Sequence, residues 1–327
     1  DGTGNSGRTL TGLEFKPDFF WGKSRSGGFQ HILYDSVRGT GTSKSLSSNQ
    51  TNAEGNNSAH SNLTSFDHGG VTFGATSSTD ILNYSGGNSV GWFWKAGGAA
   101  VTNNDGTITT QVSANQEAGF SIMTYTGTGS AGTCGHGLGA VPHMIITKRR
   151  DGTDEWTIYH KDLDHSSSTN HRVIRFNANS QTGSSALYYG NDPTSTVQHQ
   201  AAYGALNASS ETYVAYCWTS IPGYSKFGKY TGNGSSTGQF VHLGFRPAFI
   251  MFSRYDSGNN WHIADSKREN SYNTVTAQIY PNLTNAEASQ VDLDFVSNGF
   301  KFRNSGAFGN ASGGTYIYLA FAEQPGV

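Results

Sequence analysis

The sequence has 327 residues, room for two or three domains of ordinary size, each able to bury a core. Only 35% of residues are apolar and 13% charged, and the net charge is −2, so there is no basic footprint for nucleic acid and no cationic face for a membrane. The 43 glycines are joined by 19 Phe, 16 Tyr and 6 Trp, which argues against disorder and for many short aromatic strands linked by tight turns.

In chain order, the first unit opens on Asp1-Gly2-Thr3-Gly4, passes Gly12-Leu13 and Pro17, and enters the apolar run Phe19-Phe20-Trp21. It continues through Asp35-Ser36-Val37-Arg38, Asn52-Ala53-Glu54 and Gly70-Val71-Thr72-Phe73, and closes on Val90 to Trp94. A second unit repeats the opening from Tyr125, with Pro142 and the run Met144-Ile145-Ile146, and closes on Tyr213 to Trp218. A third repeats it from Tyr230, with Pro247, Phe249-Ile250-Met251-Phe252, Asp265-Ser266-Lys267-Arg268, Asn285-Ala286-Glu287 and Gly299-Phe300-Lys301-Phe302, and closes on Tyr316 to Phe321. Equally far past the three prolines stand His31, Trp156 and Trp261, and then Asp35, His160 and Asp265. Coincidences at constant offset signal internal duplication. Matched by their opening strings, Asp1 stands where the other units have Tyr125 and Tyr230. No stretch of the sequence reads as a secretory signal, the abrupt start at Asp1 is compatible with a processed or trimmed terminus, and no apolar run approaches the ~20 residues of a membrane helix.

The expected fold is all-β: a tandem array of three related β-sandwich, jelly-roll-like units over residues 1–97, 124–223 and 224–327. Residues 98–123 form a connecting hairpin around Asn104-Asp105-Gly106, and units 2 and 3 are closely tethered. Repeating one sandwich is expected to extend the molecule's reach. Each repeated proline sits at the start of a strand, where its missing N–H breaks no ladder.

Catalysis needs groups that converge. No Gly-x-Ser-x-Gly elbow, phosphate loop or His-Glu-x-x-His occurs. Asp292 and Asp294 share a strand face and could hold a cation or act as a glycosidase pair, although a solvated face is the simpler reading. His160, His165 and His171 lie near one another in sequence but read as scattered histidines, so no metal site and no cofactor are expected. Cys134 and Cys217 read as buried free thiols. The Asp-Ser-x-Arg strings read as turns with an ion pair. Among aromatics that could stack on sugar rings, Tyr188, Tyr189, Tyr255 and Trp21 are the candidate ligand contacts, Tyr188-Tyr189 foremost because a turn, Gly190-Asn191-Asp192-Pro193, follows it. Trp156 and Trp261 occupy a repeated position and read as core, and Trp92 is a weaker candidate. Asn62, Asn207 and Asn310 head Asn-x-Ser/Thr strings that matter only if the host glycosylates.

The segment Gly119 to Thr133, then Gly135-His136-Gly137-Leu138-Gly139-Ala140-Val141-Pro142, Trp156 to His160, and Gly313 to Glu323 resemble a repeat common in tail-fibre and other virion structural proteins of tailed bacteriophages, notably marine and cyanobacterial phages. The resemblance spans nearly all of units 2 and 3 and is weaker in unit 1, where His31 holds the Trp position. It implies a non-enzymatic virion part at the virion surface, a fibre, appendage or decoration. The implied partners are host-surface glycan, neighbouring virion proteins and copies of itself, often as trimers. The competing expectations are a carbohydrate-active depolymerase and a cellular glycan-binding adhesin or lectin.

Overall fold

A computed structural model describes residues 2, 4, 8–55, 62–74, 81–163, 173–176, 189–268 and 273–323. Among them the only helical elements are one turn at Thr42–Lys44 and one at Gly204–Asn207, and all other regular structure is β.

Unit 1 contains β1 (Thr9–Thr11), β2 (Phe19–Ser24), β3 (Ile32–Asp35), β4 (Leu63–Asp67), β5 (Gly70–Phe73) and β6 (Ser89–Trp94). They form an inner sheet, β3-β2-β6, and an outer sheet, β1-β5-β4. Unit 2 contains β7 (Val101–Asn103), β8 (Thr110–Asn115), β9 (Phe120–Thr126), β10 (Gly132–Gly135), β11 (Met144–Arg149), β12 (Thr157–His160), β13 (Ile174–Arg175), β14 (Val197–Gln200) and β15 (Thr212–Trp218). Its inner sheet runs β13-β12-β11-β15-β9-β8-β7, and β10 pairs with β14 outside. Unit 3 contains β16 (Ser225–Thr231), β17 (Phe240–His242), β18 (Pro247–Arg254), β19 (Trp261–Asp265), β20 (Val275–Gln278), β21 (Ala288–Val296), β22 (Gly299–Phe302) and β23 (Thr315–Ala322). Its inner sheet is β16-β23-β18-β19 and its outer sheet β17-β22-β21-β20.

The hairpin expected as a connector is part of unit 2. β7 and β8 pair with each other, and β8 pairs with β9, which begins at Phe120, ahead of the expected unit boundary. The opening of unit 1 is also shifted from its expected match. Gly127 and Gly232 N–H donate to the Glu211 and Gly314 carbonyls, and Gly2 N–H donates to that of Gly87. Gly129, Gly234 and Gly4 likewise donate to the carbonyls of Asn207, Asn310 and Asn83. By this register Gly2 corresponds to Gly127 and Gly232, and Gly4 to Gly129 and Gly234, one residue out of step with the expected match of Asp1 to Tyr125 and Tyr230.

The apolar runs are continuous because the inner strands are buried on both faces. Successive side chains of a strand point to opposite sides. Phe20, Ile32 and Tyr34 fill the private core of unit 1. Ile145, Tyr213 and Cys217 do so in unit 2, and Ile250, Phe252 and Tyr318 in unit 3. Their neighbours Phe19, Trp21 and Trp94, Met144, Ile146 and Trp218, and Phe249, Met251 and Phe321 all enter one shared cluster. Aromatic contacts cross it: the Phe19 and Tyr216 rings lie 4.5 Å apart and Trp94 and Phe249 5.8 Å apart. Burying each such side chain contributes about 1.5–3 kcal/mol. The three sandwiches therefore surround a common core instead of extending end to end.

Candidate functional site

The repeat positions that carry polar chemistry join the units. His31 Nε2 meets the Tyr280 carbonyl of unit 3 at 2.9 Å, and Trp261 Nε1 donates to the Arg175 carbonyl of unit 2 at 3.1 Å. Trp156 Nε1 donates to the carbonyls of Ser47 and Gln50 in unit 1, at 2.8 and 3.1 Å. Gln50, Arg175 and Tyr280 are themselves equally far past their prolines, so one contact is repeated cyclically, unit 1 to 3, 3 to 2 and 2 to 1. Trp21 Nε1 donates to His31 Nδ1 at 2.9 Å, which leaves the proton on Nε2 for Tyr280. Burial, helped by Lys23, lowers the His31 pKa to about 3, so the ring is neutral.

A second cycle runs through Asp35, Asp265 and His160. The Asp-Ser-x-Arg strings form the expected ion-paired turns: Arg38 Nε donates to Asp35 at 2.5 Å and Arg268 Nε to Asp265 at 2.7 Å. Into these turns reach groups at one position of the closing strands. Tyr216 of unit 2 donates its hydroxyl to Asp35 at 2.7 Å, and Trp92 of unit 1 donates Nε1 to Asp265 at 3.0 Å. The equivalent residue of unit 3, Leu319, has no donor. There His160 Nε2 meets the adjacent Tyr318 carbonyl at 3.3 Å, and burial lowers the His160 pKa to about 4. Burial disfavours the Arg38 charge, but Asp35, Tyr216 and Glu54 outweigh it and raise the pKa.

A third contact repeats twice. Glu54 accepts from Arg150 Nε at 2.7 Å and Glu287 from Arg25 Nε at 2.9 Å, each across a unit boundary. The backbone repeats it, since Glu54 N–H donates to Arg150 O and Glu287 N–H to Arg25 O. Burial opposes ionisation of Glu54, but Arg150 and Arg38 hold its pKa below the usual carboxylate value.

The aromatic candidates for sugar stacking are not presented together. Trp21 is 3% exposed in the shared core and Tyr189 1% exposed in the core of unit 2. Tyr189 is withdrawn from the surface because its ring packs edge-on to Tyr159 and its hydroxyl lies 3.3 Å from Thr147 Oγ1. Tyr255 is half-buried against the shared core. Tyr188 lies outside the described residues, as do His165 and His171. Trp92, Trp156 and Trp261 are buried in the shared core.

The alternation of β21 puts Val291, Leu293 and Phe295 in the private core and the two aspartates on the other face, where Asp294 is held by Arg303 Nε at 2.6 Å. Cys134 and Cys217 are free and buried in one core, and burial raises both thiol pKa values, that of Cys217 to about 12. Asn207 and Asn310 are fully buried and bind the Gly-x-Gly turns: Asn207 accepts from Thr128 N–H at 2.8 Å and Asn310 from Asn233 N–H at 2.9 Å. Their side chains are thus structural, a role signalled in the sequence by equal spacing ahead of each closing strand, where Asn83 recurs in unit 1.

A groove of about 630 Å³ lies where the three units meet. Trp92, Trp94, Phe249, Phe321 and Tyr224 contribute apolar lining, and Lys95, Glu117, Lys267 and Glu323 contribute charge. Segments from all three units build it, so no local sequence signal marks it. No cluster of three or more potential metal ligands occurs among the described residues.

No curated protein matches the chain, and no solved structure does. A family model described as a domain of unknown function, DUF7483, matches residues 1–325, and this chain of three sandwiches around one core belongs to that family.

Proposed function

We propose that the chain is a non-catalytic structural or adhesive domain of a virion surface, a tail fibre, appendage or decoration that meets host-surface glycan or neighbouring virion proteins. The observation that carries the non-catalytic part is the use of the repeated polar residues. Asp35, Asp265, His160, Glu54 and Glu287 are engaged in bonds that join or brace the units. The sequence resemblance to phage virion proteins supports the setting. Among the described residues no helix is long and apolar enough to cross a membrane.

Incubation of the purified chain with host-surface polysaccharides, with retained protein and released sugar both measured, tests this reading. Retention without release is the expected result. Release of sugar fragments would make the protein a depolymerase and overturn it.

A further inference from the structure

The closing strands of units 2 and 3 have a neighbour that, among the described residues, the closing strand of unit 1 lacks. β15 pairs with β9 along its whole length, and β23 pairs with β16 over residues 315–321. β6 instead ends its sheet among the described residues. Burial follows pairing. β15 and β23 are buried at all but their end positions, whereas Ser89, Val90, Gly91 and Phe93 of β6 are partly exposed. The Trp94 and Asn88 carbonyls accept from Asp18 and Arg25 on the β2 side. Strand alternation then turns the N–H and C=O groups of Ser89, Gly91 and Phe93 towards the side where none of the described residues pairs with β6.

Both faces of this lane, unpaired among the described residues, have room for side chains. In units 2 and 3, Tyr125 and Tyr230 stack on Tyr213 and Tyr316 at 5.1 and 4.8 Å. Their hydroxyls donate to the Leu206 and Gly309 carbonyls at 2.7 and 2.9 Å. Unit 1 has Ser89 in the place of Tyr213 and Tyr316, and its buried Oγ has no partner among the described residues. Beside it lies a cavity of about 120 Å³ lined by Phe20, Phe73 and Leu82. On the opposite face is the 630 Å³ groove. There Trp94 occupies the position of Trp218, which stacks on Phe120 of β9 at 4.9 Å, and of Phe321, which packs against Phe227 of β16 at 6.0 Å.

We propose that the β6 edge is a strand-acceptor site. Its occupant is an antiparallel polypeptide strand of the β9 and β16 type, continuous with Asp1, that lays apolar side chains into the groove and one aromatic ring into the smaller cavity. Gly2 and Gly4 fix the direction of entry, because their backbone bonds repeat those of the residues that follow β9 and β16. Main-chain bonds to the edge give affinity, and pockets for alternate side chains give specificity. Covering the edge also removes a template for unwanted pairing.

The test compares the 327-residue chain with the same chain carrying Ser-Lys-Phe-Gly-Lys-Tyr, the sequence of residues 225–230, ahead of Asp1. A third version has alanine in place of the added tyrosine. Hydrogen exchange at the Ser89, Gly91 and Phe93 amides and the melting temperature are measured for all three. The extension is expected to slow exchange at those amides at least about tenfold and to raise Tm by several degrees, with less of each in the alanine version. Unchanged exchange in the extended chain would overturn the proposal. So would protection in the unextended chain that grows with protein concentration, since a second copy would then be covering the edge.

Discussion

Phe249 and Ile250 are neighbours on β18, yet they answer to different surroundings. Phe249 enters the core shared by all three units, and Ile250 enters the core of unit 3 alone. Phe19 and Phe20 divide in the same way in unit 1, and Met144 and Ile145 in unit 2. One face of each inner sheet builds a sandwich, and the other binds that sandwich to its two neighbours. Burial alone does not distinguish the two faces, but the range over which a truncation is felt does.

The sharpest way to break this comparison is to truncate one residue on each face. Trp94→Ala is expected to cost about 3–5 kcal/mol, and hydrogen exchange should accelerate in all three units. Ile250→Ala is expected to cost about 2–5 kcal/mol, with the fastest new exchange confined to unit 3. Equal spread for both variants would show that the two cores are not distinct.

The next effect concerns the polar contacts between units. Asp35→Asn takes the carboxylate from the Nε of buried Arg38, leaves Glu54 as its one ionised partner among the described residues and weakens the bond from Tyr216, so a loss of about 3–5 kcal/mol is expected in denaturant unfolding. Asp265→Asn should lose a similar amount, because Arg268 and Trp92 meet it in the same way. A loss below about 1 kcal/mol for either would remove that node from the account.

Acid should act through the buried histidines. Burial lowers the pKa of His31 to about 3 and those of His160 and His262 to about 4. The unfolded chain, with histidine near 6.5, binds protons between pH 6.5 and 4 that the folded chain refuses. Their contribution is thus complete above about pH 6.5 and falls as the pH drops towards 4. Urea midpoints at pH 7 and pH 4.5 should show the decline, and replacing His262 with Gln should make it shallower. The smallest effect is expected at Lys267, which pairs with Glu323 in solvent: Lys267→Ala should change stability by no more than about 0.5 kcal/mol.

Much of the fold was legible from the repeat. The prolines, the closing strands and the Asp-Ser-x-Arg turns all mark real equivalences, because each reflects bonding within a few residues or within one sheet. The union of the sandwiches was harder to read. The partners of Trp156 Nε1 are backbone carbonyls in unit 1, and a carbonyl leaves no mark in sequence. The continuous run Phe249-Ile250-Met251-Phe252 did announce burial on both faces, but not what lies against the second one. Tyr189 was misplaced because the turn at Gly190 is a local signal, whereas the contacts that bury the ring come from β11 and β12. The groove was invisible for the same reason, being assembled from residues hundreds of positions apart.

The claim on which the rest depends is that three sandwiches close around one core. Small-angle X-ray scattering of the monodisperse chain tests it most directly. A closed single-core molecule of 327 residues should have a radius of gyration near 20 Å, roughly the value for a compact chain of that length. A much larger radius, with the elongated distance distribution of three units in a row, would contradict the account.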